Sequence, residues 1–436
     1  MCNNRVVHAA PSGSGRFTLS IEEDVMKKKF LGTVMAAVMT AALLAGCGAP
    51  VDKASTADSA ATGAAAAATE APAASTEAAE AATQAEASGT VQDAALKIAI
   101  VSSPSGVDDG SFNENNYNGI LDFIKEAPNS TVTPVKEETG DVAACIQTVS
   151  DIVADYDVIV CCGFQFAGIG PVAEENPDVK FILVDSNPTD ADGKEVEEPN
   201  IYAMTFKEQE SGFPAGLAAA LTTKTGKVAV VNGIAYPSNV NYQYGFMSGV
   251  NYANKYYGTK AECVELPSYA GTDVNGNNVG GNYVGSFADE ATGKVVGQAL
   301  LNEGCDVIFV AAGASGNGVF TAVKEAKDAY VIGCDVDQYD DGANGSSNIV
   351  LTSGLKVMDK NVKLQLENIA NGTFKGGNNL LGADTDSTGY VSVEGRQQLS
   401  SDAIQKIDEA FAKVKSGEVV PAANFNDETP DNFKGL

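Results

Sequence analysis

The stretch Tyr330-Val331-Ile332-Gly333-Cys334-Asp335 decides the fold. It is a short apolar run that ends in a carboxylate, and Val336-Asp337-Gln338 follows it. Continuous apolar runs of this length are typical of strands that are covered on both faces, as in parallel sheets. In such sheets ligands bind outside the carboxyl ends of the strands. Asp335 is therefore a candidate ligand-binding residue.

Similar runs recur through the chain from about residue 95 onward, with amphipathic helical stretches between them. The clearest runs are Leu96–Val101, Val158–Cys162, Phe181–Val184, Val228–Val231 and Val307–Val310. The clearest helical stretches are Val142–Val153, Val357–Asn371 and Ser401–Val414, the last with Ser401 and Asp402 suited to capping. Strands that alternate with helices predict parallel sheets. One series lies before about residue 205 and the other runs from about 226 to 335.

These two series predict an α/β protein with the type I periplasmic-binding fold. In this fold two doubly wound lobes face each other across a ligand cleft. We expect one bilobal domain over residues 95–436. Lobe 1 is expected at about 95–207 with a later return segment, and lobe 2 at about 208–335 with a C-terminal segment.

The N-terminal part has the composition of an export signal followed by a tether. Residues 26–46 combine a basic start with a short apolar run, which is typical of a signal peptide. The run Leu44-Ala45-Gly46-Cys47 resembles the bacterial lipobox, so Cys47 is the predicted lipidation site. Residues 1–25 are interpreted as sequence upstream of the true start at Met26. Residues 47–94, rich in Ala, Thr, Glu and Ser, are predicted to be a disordered tether.

Charge and composition exclude several functions. The net charge of −29 argues against binding of nucleic acid through its phosphates. The only histidine is His8, so the mature chain has no imidazole for general-base catalysis or for a metal site. We therefore expect a protein that is not an enzyme and has no metal or cofactor. The cysteines form no CxxC pair, and buried free thiols are favoured over disulfides.

The loops that follow the predicted strands supply the candidate ligand-binding residues. The loop 103–113 places Phe112 and Asn113 at the entry to a helix, although Phe112 alternatively serves as a core residue. Asp185 ends a strand, Phe287 precedes a helix, and Gly313 lets a ligand approach the backbone. Lys356 ends a later strand. Three tyrosines are alternative candidates for the rim of the cleft, although half-buried packing is favoured for them: Tyr236, Tyr242 and Tyr244.

An ordered set of motifs across residues 96–390 resembles the basic membrane protein family, which includes the purine nucleoside receptor A type of substrate-binding lipoprotein. The matching pieces are Asp109–Asn113, Gly163-Phe164, Asn176–Phe181, Ala215-Gly216, Ser286–Asp289, Gly304–Phe309, Asp335–Gln338 and Leu351–Lys356. Each piece is short, and the specificity lies in their order along the chain.

The resemblance implies a role for each candidate residue. Phe112 and Phe287 fall where family members hold a nucleobase between two aromatic rings. Asp335 and Lys356 fall where the ribose hydroxyls are held, by a hydrogen-bond acceptor and a donor respectively. Gly313 would allow close contact with the backbone. Asp185 is a candidate for the base side.

The chain departs from the family at one position. Family members carry an acid about nine residues before the Phe112 position, and this chain has Ser103 there. The resemblance therefore implies a nucleoside ligand, with a purine favoured. A pyrimidine nucleoside or a related sugar stays open.

The resemblance implies an extracytoplasmic solute-binding lipoprotein of an ABC importer. Its partners would be the permease and ATPase subunits, and it would be a monomer held at the cell membrane by its lipid alone. Two alternatives remain at this point. One is a surface sensor or adhesion lipoprotein of the same fold, and the other is an exported enzyme that uses Asp335 and Lys356.

Overall fold

The computed structural model of this protein describes residues 90–436. The predicted signal peptide, the lipidation site Cys47 and the segment 1–25 lie outside the described residues. Of the expected tether, residues 90–94 are described. Val91–Asp93 form a single 3₁₀ turn, and Val91 and Ala94 pack against apolar residues of the first lobe.

The strands of the described chain are mostly short and apolar. In chain order they are β1 (Lys97–Ser102), β2 (Thr131–Lys136), β3 (Val158–Cys162), β4 (Lys180–Val184), β5 (Ile201–Phe206), β6 (Lys227–Asn232), β7 (Glu262–Cys263), β8 (Gly271–Thr272), β9 (Asn278–Gly280), β10 (Val307–Ala311), β11 (Tyr330–Gly333), β12 (Ala343–Asn344), β13 (Ser347–Asn348), β14 (Val350–Lys356), β15 (Gly377–Leu381) and β16 (Thr388–Tyr390).

Helices connect most of these strands. They are α1 (Phe112–Glu126), α2 (Val142–Ile152), α3 (Gly170–Glu175), α4 (Gln209–Thr222), α5 (Pro237–Tyr256), α6 (Glu290–Asn302), α7 (Ser315–Glu325), α8 (Met358–Ala370) and α9 (Ser401–Lys415). Besides the first turn, short 3₁₀ segments occur at Val153–Asp155, Phe164–Ile169, Pro267–Tyr269, Asp340–Gly342 and Ala383–Thr385.

Lobe 1 is a parallel sheet with helices on both faces. Its strand order is β15-β5-β4-β3-β1-β2, and every neighbouring pair is parallel. Helices α1 and α8 bury one face of the sheet through Phe123, Met358 and Leu366. The opposite face is covered by α2, α3 and the Phe164–Ile169 segment. Because both faces are covered, β1, β3 and β4 carry almost unbroken apolar runs.

Lobe 2 repeats this plan with one reversed strand. Its order is β16-β14-β11-β10-β6-β7, and β16 alone runs antiparallel to its neighbour. Helices α4, α5 and α9 cover one face, and α6 and α7 cover the other. The equivalent strands β1 and β6, β3 and β10, and β4 and β11 therefore end at the same edge of their respective sheets.

The chain crosses between the lobes three times in the described residues. The first crossing joins β5 to α4 through residues 207–208, the second joins β14 to α8 at residue 357, and the third joins β15 to β16 through residues 382–387. The segment 358–381 is thus a return to lobe 1, and β14 belongs to lobe 2. Short parallel connections of this kind suit a hinge between two rigid bodies.

Helices α4 and α5 pack unusually closely in lobe 2 because glycines line their contact. A Cβ atom at Gly216 would clash with the carbonyl of Phe246, and one at Gly249 would clash with the carbonyl of Phe213. Gly212 and Gly245 make similar approaches nearer the start of the two helices. The glycines bring Glu208 and Tyr242 close to the middle of the molecule.

The sequence-based element predictions are confirmed in their main features. The helix predicted to end before Gly372 does so, and Gly372 has a φ of 71°, the left-handed conformation that favours glycine. The capping prediction for α9 is wrong by one residue, since the Ser400 side chain accepts the hydrogen bond from the Ala403 amide. The six described cysteines are free thiols, as favoured. No helix from residue 90 onward combines the length and apolar character needed to cross a membrane.

Candidate functional site

A cavity lies between the lobes at the carboxyl ends of their strands. It holds about 570 Å³ of empty space, part of it open to solvent. Seven residues were predicted from the sequence to bind the ligand, and the structure places all seven in its wall: Phe112, Asn113, Asp185, Phe287, Gly313, Asp335 and Lys356. Their contact with a ligand remains a prediction.

A single buried lysine organises the polar side of the cavity. Lys356 ends β14, and its side chain is only 2 % exposed. Its Nζ lies 2.7 Å from Asp185 Oδ2, across the cleft in lobe 1. Two further carboxylates, Asp335 and Glu208, each lie 3.8 Å from the same nitrogen. Burial opposes the lysine's charge, but the three carboxylates outweigh it and raise the pKa of Lys356, so it is a cation at neutral pH.

Glu208 stands behind the cavity wall at the first crossing between the lobes. Its Oε2 accepts a hydrogen bond of 2.8 Å from Asn241 Nδ2 of α5. Burial raises the pKa of Glu208 to about 8, although Lys356 acts in the opposite direction. Glu208 was not foreseen from the sequence.

Asp335 is held in place from both lobes. Its Oδ1 accepts a hydrogen bond of 2.8 Å from the Tyr242 hydroxyl, and its Oδ2 accepts one of 3.2 Å from Ser111 Oγ in lobe 1. Its backbone has a φ of 67°, in the left-handed region. The Asp335 carbonyl accepts from the Lys356 amide at 2.9 Å, which fixes the turn against β14. Hydrogen bonds from both lobes thus fix the orientation of this carboxylate.

Phe112 begins α1, and a buried carboxylate at the preceding turn sets its position. Asp109 accepts hydrogen bonds from the backbone amides of Ser111, Asn113 and Glu114 at 3.0–3.1 Å. Burial raises the pKa of Asp109 against these bonds. The Phe112 ring then lies 4.9 Å from Lys356 Nζ, a cation–π distance. Asp109 therefore acts in the turn before the helix.

Position 103, where the family resemblance implies an acid, carries a serine in this chain. Ser103 Oγ lies 2.9 Å from Ser105 Oγ, and Asn113 Nδ2 lies 3.0 Å from each of them. The Asn113 amide nitrogen also donates to Asp109 at 2.9 Å. Since Asp109 accepts, the amide nitrogen must face it, and Asn113 Oδ1 is left buried without a partner in the described residues. Beside Asp109, which also lines the cavity, this corner offers hydroxyl and amide groups.

Aromatic rings form the other side of the cavity. The centre of the Phe287 ring lies 6.0 Å from that of Tyr236, and Tyr236 lies 5.1 Å from Phe164 of lobe 1. A Cβ atom at Gly233 would clash with the Phe287 ring, so the glycine makes room for it. Phe112 and Phe287 both line the cavity, but no ring contact joins them. The space between them is the candidate slot for a flat ligand.

The three tyrosines are buried or half-buried, as favoured, and two of them also line the cavity, the alternative left open by the sequence. Tyr236 and Tyr242 line this cavity, while Tyr244 faces a different surface groove. Tyr242 lies on α5 one turn beyond its first residues, and Phe164 follows β3 directly. The glycine before Phe164, with a φ of 117°, was the one available signal that the backbone turns sharply there.

Other acidic residues near the strand end have structural partners. Asp337 accepts from Arg396 Nε at 2.7 Å, and Gln338 donates to the Gly110 carbonyl of lobe 1 at 3.3 Å. Within residues 90–436, no cluster of three or more His, Cys, Asp or Glu side chains has the geometry of a metal site.

Comparison with known families identifies the class of protein. A family model described as ABC transporter substrate-binding protein, PnrA-like (Bmp), matches residues 96–266 and 273–424. The chain belongs to this family. Members are substrate-binding proteins of ABC transporters, a role without catalysis, and they bind small molecules outside the cytoplasm and work with permease and ATPase subunits. The Bmp assignment confirms the resemblance seen in the strand-end motifs.

Individual relatives agree with the family assignment. The CD4+ T-cell-stimulating antigen of Listeria monocytogenes is 30% identical over 345 residues, covering 74% of this chain and 87% of that protein. The ABC transporter nucleoside-binding protein BmpA of Lactococcus lactis is 29% identical over 343 residues, covering 74% and 86% respectively.

A solved structure is similar in fold. It is an ABC transporter solute-binding protein from Aeropyrum pernix K1, with a TM-score of 0.63 and 24% sequence identity, covering 76% of this chain and 94% of that one. At this identity the likeness shows the fold alone. It agrees with the two lobes and the cleft between them, and the predicted type I periplasmic-binding fold is confirmed.

Proposed function

We propose that this Bmp-family protein binds a nucleoside, with a purine favoured, and delivers it to its permease. The observation that carries the proposal is that the wall of one cavity has two parts of different chemical character. Half-buried aromatic rings form one part, and a fixed carboxylate and ammonium pair forms the other. A nucleoside has the same two parts, a flat base and a sugar with vicinal hydroxyls. The printed name of the Lactococcus lactis relative points to the same ligand class.

Each predicted residue then has a role in the proposed complex. Phe112 and Phe287 stack on the two faces of the base, since flat rings bury apolar area and favour offset stacking. Asp335 accepts from the ribose hydroxyls, and Lys356 donates to them. Asp185 keeps Lys356 charged and in place from the opposite lobe. Gly313, with a φ of 53°, lets the ligand approach the backbone.

The base edge would be read by neutral groups. The Ser103 and Ser105 hydroxyls can donate or accept hydrogen bonds, and Asn113 Oδ1 can accept, so these groups tolerate more than one base. A carboxylate at position 103 would demand a donor on the base. We therefore expect purine nucleosides to bind more tightly than uridine through stacking area, with small differences among the purines.

Isothermal titration of the purified protein tests this proposal. We expect heat on addition of guanosine, inosine or adenosine, a weaker response to uridine, and none to ribose at the same concentrations. The matched control is the Phe112→Ala, Phe287→Ala double variant, which should lose the purine response. A response to ribose equal to that of the nucleosides would favour the sugar alternative. No response to any nucleoside would contradict the ligand assignment and leave the fold unaffected.

We also propose that a lipid on Cys47 holds the protein at the outer face of the cell membrane, with residues 48–89 as the tether, since Val91 and Ala94 pack against lobe 1. The support is the lipobox-like run and the basic and apolar segment before it. A lipid anchor would keep the binding protein near its permease. Substitution Cys47→Ser should move the protein from the membrane fraction to the medium or periplasm, without changing its nucleoside affinity. Retention of the Cys47→Ser protein in the membrane fraction would contradict the anchor.

A further inference from the structure

Tyr236 is an aromatic residue of the cleft to which the family resemblance assigns no role. It directly precedes α5 and lines the cavity with Phe287 on one side and Phe164 on the other. The ring centroids are 6.0 Å and 5.1 Å from that of Tyr236, with interplanar angles of 38° and 37°. Three tilted rings therefore form a continuous aromatic row along one wall.

This row crosses from one lobe to the other. Phe164 follows β3 of lobe 1, whereas Tyr236 and Phe287 belong to lobe 2. The contact between Phe164 and Tyr236 can exist only while the lobes are together, because hinge opening moves the two residues apart. A ligand held between the lobes must break this contact in order to leave. The pair is therefore placed to affect dissociation more than association.

The hydroxyl of Tyr236 has no partner among the described residues. Some other tyrosine hydroxyls have partners among the described residues: Tyr242 donates to Asp335, Tyr283 to Gln243 and Tyr257 to the Lys406 carbonyl. The half-buried Tyr117 and Tyr202 have none there, so the position of Tyr236 in the cavity wall is what distinguishes it. Tyr236 is half-buried, so its hydroxyl is partly withdrawn from water. Tyr236 lines the cavity, so a ligand bound there is placed to supply a hydrogen-bond partner for its hydroxyl.

We propose that Tyr236 is a further ligand-contacting residue, and that with Phe164 it forms a closing contact over the flat part of the ligand that sets its dissociation rate. The identity of the ligand rests on the proposed nucleoside function. Phe287 serves both the base and the row, since it contacts Tyr236 and lines the cavity. The stacking of the base on Phe287 thus depends on the neighbouring ring of Tyr236.

Dissociation rates test the closing contact. The full-length protein is loaded with a tritiated nucleoside and chased with excess unlabelled nucleoside. Phe164→Leu and Tyr236→Leu should each speed dissociation about fivefold to tenfold, the range expected for loss of an aromatic pair with its buried area. The double variant should be little faster than either single variant, because both remove the same contact. Tyr236→Phe should keep the closing contact but lose the hydrogen bond of the hydroxyl, so that dissociation becomes about threefold faster.

Controls separate this role from folding and from the nucleoside function. Tyr256→Leu is the matched control, since Tyr256 lies near the other end of α5 and is 49% exposed. It should leave the dissociation rate unchanged, and all variants should keep the unfolding temperature of the unaltered protein. If the unaltered protein binds no nucleoside, the proposed function fails. If it binds normally and the Phe164 and Tyr236 variants dissociate within twofold of it, or their effects simply multiply, only the closing contact is wrong.

Discussion

Asp185 and Asp335 occupy equivalent places in the two lobes, yet they are held differently. Asp185 directly follows β4, and Asp335 follows β11, the equivalent strand of lobe 2. Both have left-handed backbones, with φ values of 63° and 67°. Asp335 is fixed by two hydroxyl donors, whereas Asp185 contacts Lys356 and leaves Oδ1 without a partner in the described residues. The repeated fold supplies two like positions, and in the proposed complex their neighbours make one a binding group and the other a counter-charge.

Removal of the shared cation should disturb both positions most strongly. Lys356→Met leaves buried carboxylates without a counter-charge, which costs about 3–5 kcal/mol in the free energy of unfolding. Urea unfolding at pH 7 measures it. Lys363→Met is the matched control, because that lysine pairs with Glu126 on the surface and is worth less than about 1 kcal/mol. Equal losses in the two variants would show that the buried cluster is not held by Lys356.

Replacing each of the two aspartates by asparagine should have different effects on stability and on nucleoside affinity. Asp335→Asn still accepts from Tyr242, so stability changes little, but the ribose hydroxyls lose a charged acceptor and nucleoside affinity falls about 100-fold. Asp185→Asn should do the reverse, with a clear loss of stability and a smaller loss of affinity.

Titration calorimetry and urea unfolding on both variants measure these effects. The same pattern in Asp335→Asn and Asp185→Asn would remove the distinction between binding group and counter-charge.

The smallest expected effect concerns the protonation of Glu208. Its pKa is raised by burial from 4.5 to about 8, so between these values the folded protein holds a proton that the unfolded chain releases. Stability from this group is complete at low pH and is lost as the pH rises through about 8. Over one pH unit near neutral pH, the free energy of unfolding falls by up to about 1.4 kcal/mol.

Glu208→Gln should flatten this part of the stability profile, measured by urea unfolding at several pH values. A profile for Glu208→Gln that is as steep as that of the unaltered protein would assign the dependence to Asp109 or Asp185, whose pKa values burial also raises.

The sequence allowed the alternation of strands and helices, and the residues at strand ends, to be predicted. Runs such as Val158–Cys162 are apolar because both faces of the sheet are covered, and that cause acts locally along the chain. Asp335 and Lys356 could be predicted as candidate site residues for the same reason, since each lies at or next to the end of such a run.

Contacts between the lobes could not be predicted in this way. Glu208 approaches Lys356 because three crossings and the packing of α4 on α5 bring them together, over 148 positions of sequence. Tyr236 touches Phe164 only through closure of the cleft. Strand β15, which reads Gly377-Asn378-Asn379-Leu380-Leu381, lacks the apolar pattern because it lies at the edge of its sheet.

The glycine contact between α4 and α5 has a consequence for how the protein tolerates change. No glycine of this contact lines the cavity, yet Glu208 and Tyr242 belong to the two segments that it presses together. A methyl group at Gly216 or Gly249 would force the helices apart and shift both side chains at once. Attempts to redesign ligand preference therefore have freedom at Ser103 and Ser105, where neighbours are small hydroxyls, and very little along the helix pair that fixes the opposite wall.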